Sequence, residues 1–159
     1  MPDAASFEAF YRETFARIVR ACALVTLDRA LAEDVAAESF ARLWARWGQI
    51  HGPDHAGGYV FKTAMRLSAR ELRKRARRAP APEAPADEMA AALDRENVTK
   101  ALLALPLRQR QSVVLRDWAG FETAQVARLL GIRESTVRVH LARARERLRQ
   151  SLSVEDREP

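Results

Sequence analysis

Apolar residues recur every three or four positions along the first half of the chain, which is the spacing of amphipathic helices. This spacing predicts one helix over about 7–25 and a second over about 29–47, with Asp28 placed as the N-terminal cap of the second. Residues 49–58 are rich in glycine and proline, which predicts a loop. A third helix is then expected over about 59–78.

The second half of the chain has the same helical periodicity. Residues 88–105 predict a helix that is broken by the following proline, and residues 107–118 predict another. A short helix over 123–130, a tight turn at Gly131 and a long helix over 135–152 follow. Because no segment reads as a run of strands, the predicted fold class is all-α.

The clearest boundary lies between these halves, where residues 79–86 carry three prolines at alternate or near-alternate positions. Proline at this density forbids a helix and favours an extended chain. We therefore predict two small helical domains, 1–78 and 88–159, joined by a flexible Pro/Ala linker over 79–87.

Composition and charge narrow the function classes. Apolar residues make up 48% of the 159 residues, which is enough to form hydrophobic cores. The sequence has no run of eighteen apolar residues, so no membrane span is predicted. The N-terminus lacks the layout of a signal peptide, and a lone Cys22 excludes an internal disulfide, so we expect a cytoplasmic protein. The net charge of +6 points to a polyanionic partner. Basic residues are in excess in 1–78 and in 107–150, on either side of an acidic middle.

The strongest local pattern is a helix-turn-helix over 123–149. A small residue at Ala127 permits close helix crossing, and Gly131 permits the left-handed turn. Ile132, Val137 and Leu141 are predicted to seat the second helix in the core. The exposed beginning of that helix is where such proteins contact base edges. The candidate DNA-binding residues there are Arg133, Glu134, Ser135, Thr136, Arg138, Val139, His140 and Arg143. The alternative interpretation is a helical hairpin with a solvated basic face.

Within this motif, Arg138 has the chemistry to pair with guanine through two hydrogen bonds, and His140 to contact a base or a phosphate. Further arginines follow at Arg143, Arg145, Arg147 and Arg149. Such side chains suit the phosphates that flank the groove.

A second candidate site lies on the third predicted helix. Its members share one side of the helix or stand at its start: Lys62, Arg66, Arg70 and Arg73, with Tyr59 and Phe61. A basic groove with aromatic rings at one end suits single-stranded DNA, because unstacked bases can lie on the rings. The alternative is that Phe61, which is spaced helically with Ala64, Met65 and Leu72, belongs to the core.

The second predicted helix carries Asp34, Glu38, Arg42 and Arg46 on one face. These residues either form a docking face for another protein or an intrahelical salt pair, Glu38 to Arg42, and the sequence alone favours the pair. A metal site at His51, Asp54 and His55 is disfavoured because the loop offers no further Cys or His ligand. No metal, cofactor or catalytic residue is predicted.

Several motifs together resemble the extracytoplasmic-function (ECF) group of alternative sigma factors of bacterial RNA polymerase. Phe7-Glu-Ala-Phe-Tyr11 is similar to the opening motif of the family, and residues 32–44 resemble the segment of its region 2 that docks on polymerase. Five further segments resemble region 4 of the family: Leu105-Pro-Leu-Arg-Gln-Arg110 and residues 115–120, 126–132, 136–138 and 143–148. The resemblance covers nearly the whole chain in the family's order.

The resemblance implies a factor that recruits core RNA polymerase and starts transcription at specific promoters. Region 2 (1–78) would dock on the clamp helices through Asp34, Glu38 and Arg42 and capture the minus-ten element. Region 4 (88–159) would contact the flap and read the minus-thirty-five element. The family's chemistry is binding and not catalysis, and an anti-sigma protein is an implied partner.

The sequence departs from the family pattern at several positions. Ala37 stands where Gln is usual, Met65-Arg66 where Arg-Asn is usual, and Arg70 where Asp is usual. Other departures are Tyr59 for Trp, Glu122 for a Ser cap and His140 for Arg. The alternatives are therefore a DNA-binding regulator that does not dock on polymerase, a sigma mimic that sequesters an anti-sigma protein and, least favoured, a metallohydrolase.

Overall fold

The computed structural model describes residues 3–78 and 93–155, and every regular element in these residues is helical. This confirms the all-α prediction. The chain divides between Arg77 and Arg78 into two compact units. The predicted linker 79–87 and the beginning of the predicted helix 88–105 lie outside the described residues.

The first unit contains α1 (Ala4–Thr26), α2 (Arg29–Arg46), a 3-10 turn (Trp47–Gln49) and α3 (Pro53–Arg78). The second contains α4 (Leu93–Leu103), α5 (Leu107–Val113), a π-helical segment (Val114–Trp118), α6 (Thr123–Leu130) and α7 (Glu134–Glu155).

The predicted loop over 49–58 is wrong in its second half, because α3 begins at Pro53. Proline is favoured at the first helical position, where its missing N–H would have had no partner. Gly52 has a φ of +87° and its carbonyl accepts the N–H of Ala56 at 3.2 Å, which starts the helix. Tyr59 therefore lies in the second turn of α3 and not at its start.

In the first unit, the three helices bury one side each in a common core. Its largest fully buried side chains include Ile18, Leu43, Val60, Phe61 and Met65. At one end, the Phe7 ring near the start of α1 lies 4.9 Å from the Trp44 ring and 5.2 Å from the Trp47 ring, centroid to centroid. Contact between the start of α1 and the end of α2 shows that these helices run antiparallel.

Asp28 joins all three helices of the first unit. It follows the end of α1, and its Oδ1 accepts the N–H of Leu31 at 3.0 Å, which confirms the predicted cap of α2. Its Oδ2 accepts from Arg75 Nη1 on α3 at 2.6 Å. These hydrogen bonds hold the pKa of the Asp28 carboxyl below its usual value, and the bond from Arg75 makes the largest contribution.

The second unit is tied together by a buried arginine. Arg110 on α5 is 8% exposed, and it donates to the carbonyls of Leu102 at 2.9 Å and Leu105 at 3.1 Å. A weaker contact reaches the Leu103 carbonyl at 3.5 Å. The Leu102 carbonyl also accepts the backbone N–H of Leu105 at 3.1 Å, so Arg110 is a second donor there, and it supplies a donor to the Leu105 carbonyl in the turn after α4. Burial lowers the pKa of the Arg110 guanidinium.

The predicted single helix over 107–118 changes its hydrogen bonding midway. Regular α-helix ends at Val113, and the π-helical segment that follows closes with the Ala119 N–H donating to the Val114 carbonyl at 2.9 Å. The Phe121 N–H then reaches the Leu115 carbonyl at 3.0 Å. Hydrogen bonds between residues five apart widen the last turn of the helix, and the spacing of apolar residues does not reveal this feature.

Candidate nucleic-acid interface

A helix-turn-helix is formed by α6, the turn at Gly131 and α7. Gly131 has a φ of +66° in the left-handed region, and its N–H donates to the Ala127 carbonyl. The Ile132 N–H donates to the same carbonyl at 3.1 Å. Val137 and Leu141 are 0% and 4% exposed. The predicted turn and the predicted burial of Val137 and Leu141 are confirmed, whereas Ile132, which was also predicted to lie in the core, is only half-buried.

The start of α6 is stabilised by Glu122, which stands where the family's usual cap is serine. The Glu122 carboxylate accepts the backbone N–H of Gln125, and the Gln125 Oε1 accepts the Glu122 N–H at 2.8 Å. This reciprocal arrangement is a capping box. The departure at this position therefore preserves the helix start.

Most candidate DNA-binding residues of α7 are accessible. Arg133, Ser135, Arg138, Val139 and Arg143 are exposed. Glu134, Thr136 and His140 are half-buried. The helix thus presents one side of its first two turns to solvent, as contact with base edges requires.

Three arginines of α7 are already paired with carboxylates. Arg138 Nη2 lies 2.7 Å from Glu134 Oε1, and Arg149 Nη2 lies 2.8 Å from Glu146 Oε2. Arg145 forms a two-pronged pair with Asp117 of the π-helical segment, at 3.0 Å and 2.5 Å. These carboxylates compete with any DNA phosphate for the same donors.

His140 sits in a positively charged environment. Its Nδ1 is buried and has no hydrogen-bond partner among the described residues. Burial, followed by the charges of Arg143 and Arg108, lowers the pKa of the imidazole below its usual value of 6.5. Folding therefore favours the neutral form of the His140 imidazole.

The basic side of α3 is accessible, but one of its two aromatic candidates is not. Arg66, Arg70 and Arg73 are exposed and Lys62 is half-buried, as is Tyr59. Phe61 is 1% exposed, so its assignment as a stacking ring is wrong and the alternative, that it belongs to the core, is correct. The periodicity of α3 places Phe61 on its apolar side.

The guanidinium of Arg17, on α1, lies over the Phe61 ring with its Cζ 5.3 Å from the centroid.

On α2, Asp34, Glu38 and Arg42 are exposed. Glu38 Oε1 and Arg42 Nε lie 2.8 Å apart. The intrahelical salt pair favoured by the sequence is therefore present, and the carboxylate of Asp34 lies one turn earlier on the same face.

Sequence reasoning missed two residues that shape the second unit, Arg110 and Asp117. The Leu-Pro-x-x-x-Arg spacing could have indicated a helix-terminal partner for Arg110, whereas nothing in the sequence links Asp117 to Arg145, 28 residues away. Over the described residues, no group of three His, Cys, Asp or Glu side chains could hold a metal ion, and no helix is long and apolar enough to cross a bilayer.

Comparison with known proteins identifies the family. The family model described as Sigma-70, region 4 matches residues 95–148, which include the helix-turn-helix. The ECF RNA polymerase sigma factor SigL of Mycobacterium tuberculosis is 33% identical over 163 aligned positions, covering 94% of this chain and 90% of SigL. The chain therefore belongs to the ECF RNA polymerase sigma factors, and it is an alternative sigma factor, a transcription regulator.

Two further comparisons bear on length and fold. The probable RNA polymerase sigma factor RfaY of Xanthomonas campestris pv. campestris is 29% identical, and the alignment covers 89% of this chain but 41% of RfaY. The sigma factor RpoE of Bartonella quintana, solved in complex with the anti-sigma factor NepR, superposes with a TM-score of 0.78 at 22% identity. That match covers 94% of this chain and 98% of RpoE, and it shows the shared fold.

Proposed function

We propose that the first unit docks on core RNA polymerase and captures the minus-ten promoter element, and that the second unit reads the minus-thirty-five element through α7. Recognition by the second unit is carried by one observation. The helix-turn-helix exposes Arg133, Ser135, Arg138 and Val139 at the beginning of α7, while Val137 is fully buried. A helix held in this way offers its first turns to the major groove.

Within α7, Arg138 is the proposed base reader. Its pair with Glu134 is an exposed pair four residues apart, worth only about 0.3–0.5 kcal/mol. A two-pronged contact to guanine is worth about 1–3 kcal/mol, so DNA can take the guanidinium from Glu134. The freed carboxylate is then available to accept from a cytosine amino group nearby.

In the first unit, Arg66, Arg70 and Arg73 provide an exposed basic surface for the backbone of an unpaired strand. Tyr59, which is half-buried, is the remaining ring for a base to stack on. Docking on polymerase is assigned to the exposed side of α2 around Asp34, Glu38 and Arg42. As Bartonella RpoE has been solved with the anti-sigma factor NepR, an anti-sigma protein is also a proposed partner.

The test is in vitro transcription with core RNA polymerase and genomic promoter fragments, beginning with the DNA upstream of this protein's own gene. Specific transcripts that require the protein are expected. Core binding without transcripts would contradict promoter recognition. DNA binding with neither core binding nor transcripts would instead support a regulator that acts without polymerase.

Docking is tested by Glu38→Lys in a binding assay with core polymerase. The matched control is Glu8→Lys, because Glu8 forms an equivalent exposed pair with Arg12 on α1. We expect Glu38→Lys alone to weaken core binding, with unchanged thermal stability in both variants. Equal binding by the two variants would limit Glu38 to its salt pair with Arg42.

Base recognition is tested by Arg138→Ala on a binding site selected from a random DNA library. The variant should lose about 1–3 kcal/mol on that site and relax the preference at one base pair. An equal loss on every sequence would make Arg138 a phosphate contact.

A further inference from the structure

At His140 the chain departs from its family in a way that changes the chemistry of α7. The ECF pattern usually has arginine at this position, and this chain has histidine. Arginine is charged at every pH that a folded protein meets, whereas histidine is charged only when it is protonated, with an ordinary pKa of about 6.5. The departure therefore replaces a permanent positive charge with one that the solution pH controls.

The composition of the chain singles out this residue. There are three histidines, and His51 and His55 both belong to the first unit. The single thiol, Cys22, also lies in the first unit, where burial raises its pKa to about 12. His140 is thus the only side chain of residues 78–159 whose ordinary pKa lies between about pH 5 and 8. A proton that the second unit gains near neutral pH therefore goes to His140.

His140 lies in the second turn of α7, on the part of the helix that is proposed to enter the DNA groove. Its side chain is half-buried. The positions one helical turn away are Thr136, Val137, Arg143 and Ala144, and none of them is acidic. No carboxylate one turn away along α7 is therefore available to stabilise a proton on the imidazole.

The surroundings of the ring oppose protonation in the free protein. The helices α4, α5 and α6 pack against α7, and the charges that act on the ring are those of Arg143 on α7 and Arg108 on α5. Burial first, and then these two positive charges, hold the pKa of the imidazole below its ordinary value. A charged imidazole also carries a hydrogen on each ring nitrogen, so the buried Nδ1 would become a donor that lacks an acceptor among the described residues.

A bound DNA strand would reverse this electrostatic balance. Each phosphate of DNA carries a negative charge. A negative charge within about 4–6 Å of the ring favours the protonated imidazole, and a phosphate oxygen is a strong acceptor for its N–H groups. Linkage is reciprocal, so if bound DNA favours the proton, the proton favours DNA by the same factor.

Resting on the proposed function of α7, we propose that His140 takes up a proton when the second unit binds duplex DNA, so that binding strengthens as the pH falls from about 8 to about 6. The proton acts as a regulatory ligand and occupies one side chain. Couplings between two linked ligands are commonly about 5–150-fold, so we expect affinity for DNA to rise about fivefold or more over this range.

The experiment measures binding of the full chain to a fluorescent duplex of random sequence, at constant low ionic strength and across this pH range. His140→Gln removes the titrating group, so its affinity should not rise as the pH falls. His140→Arg restores a permanent charge and should bind tightly at every pH. The matched control is the double variant His51→Gln/His55→Gln, which should keep the full rise.

The same double variant gives a direct measure of protonation, because His140 is then the only histidine in its NMR spectrum. Addition of the duplex at constant pH should move the imidazole signal towards its protonated position. Unfolding by acid cannot imitate the binding result, because it would weaken binding as the pH falls.

Three results would overturn the proposal, and they differ in what else they remove. A rise that persists in His140→Gln would mean that another group takes up the proton. If the unaltered chain bound the duplex equally at all these pH values, proton uptake would fall while DNA binding stood. If it failed to bind the duplex at any of them, DNA binding by the second unit would fall as well.

Discussion

Replacing Arg110 with alanine should destabilise the second unit strongly without touching its DNA-binding surface. The substitution removes the donors to the Leu102 and Leu105 carbonyls at 2.9 and 3.1 Å, in a site that is 8% exposed. The space left by the side chain adds a cavity beside them.

The magnitude follows from these two contacts. A hydrogen bond from a charged donor contributes about 1.5–3 kcal/mol, and a buried carbonyl left unpaired costs about 1–3 kcal/mol. The second cost applies to the Leu105 carbonyl, because the Leu102 carbonyl keeps the Leu105 N–H as a donor. Removing the guanidinium also removes the cost of burying its charge, so we expect a net loss of about 3 kcal/mol. For a unit of this size each kcal/mol corresponds to about 4–8 °C, so the Tm should fall by about 12 °C or more.

The measurement uses the indole N–H signals of the three tryptophans in heteronuclear NMR spectra of the full chain during heating. Trp118 reports the second unit, whereas Trp44 and Trp47 report the first and serve as internal controls. Arg128→Ala, an exposed site on α6, is the matched substitution and should change stability by less than about 0.5 kcal/mol.

A Trp118 melting temperature close to that of the unaltered chain would refute the reasoning, because it would mean that water or another donor replaces Arg110 without cost. Arg110→Met helps to interpret a large loss. It keeps most of the volume and removes the buried charge, so any instability that remains comes from the lost hydrogen bonds of the guanidinium.

Three further predictions concern stability. Asp28→Ala should cost about 1–2 kcal/mol in chemical denaturation of the first unit, because it removes the α2 cap and the pair with Arg75. Since the pKa of Asp28 is lowered by folding, this contribution is present above about pH 4 and is lost as the pH falls through the folded-state pKa; a variant that kept the acid sensitivity of the unaltered chain would contradict it. Gly131→Ala should cost about 1 kcal/mol from its positive φ alone, since no atom lies within 4 Å of an added Cβ; a neutral result would mean the turn can relax. Because folding lowers the pKa of His140, the unfolded chain binds more protons below about pH 6.5, and stability should rise with pH through that window; in His140→Gln this rise should flatten, and His51→Gln is the control.

Periodicity predicted the helices well where apolar and polar positions alternate without special backbone geometry. It placed α6 correctly and α2 to within a residue, and Asp28 was recognisable as a cap because the apolar stripe begins directly after it. It failed at 53–58, where two glycines suggested a loop but proline at the first position started a helix. It also missed the π-helical segment, since one extra residue in a turn hardly changes apolar spacing.

The sequence predicted which types of residue form the candidate site, but not which of them form ion pairs with one another. The sequence indicated an arginine-rich α7, yet which arginines are neutralised depends on contacts such as Arg145 with Asp117, which only the fold brings together. Phe61 illustrates the converse limit, because an aromatic residue beside a basic stripe has the same spacing whether it faces solvent or the core.

The burial of Cys22 protects the first unit from thiol-modifying reagents until the unit opens. The thiol is fully buried against Ser68, and burial raises its pKa to about 12. The thiolate is the nucleophile that reacts with labelling reagents, so modification at neutral pH must wait for local or global unfolding of α1. As the chain has a single cysteine, the rate of labelling measures the opening free energy of the first unit alone. A partner that binds and stabilises the first unit would slow the labelling of Cys22, and this effect would be independent of binding at α7.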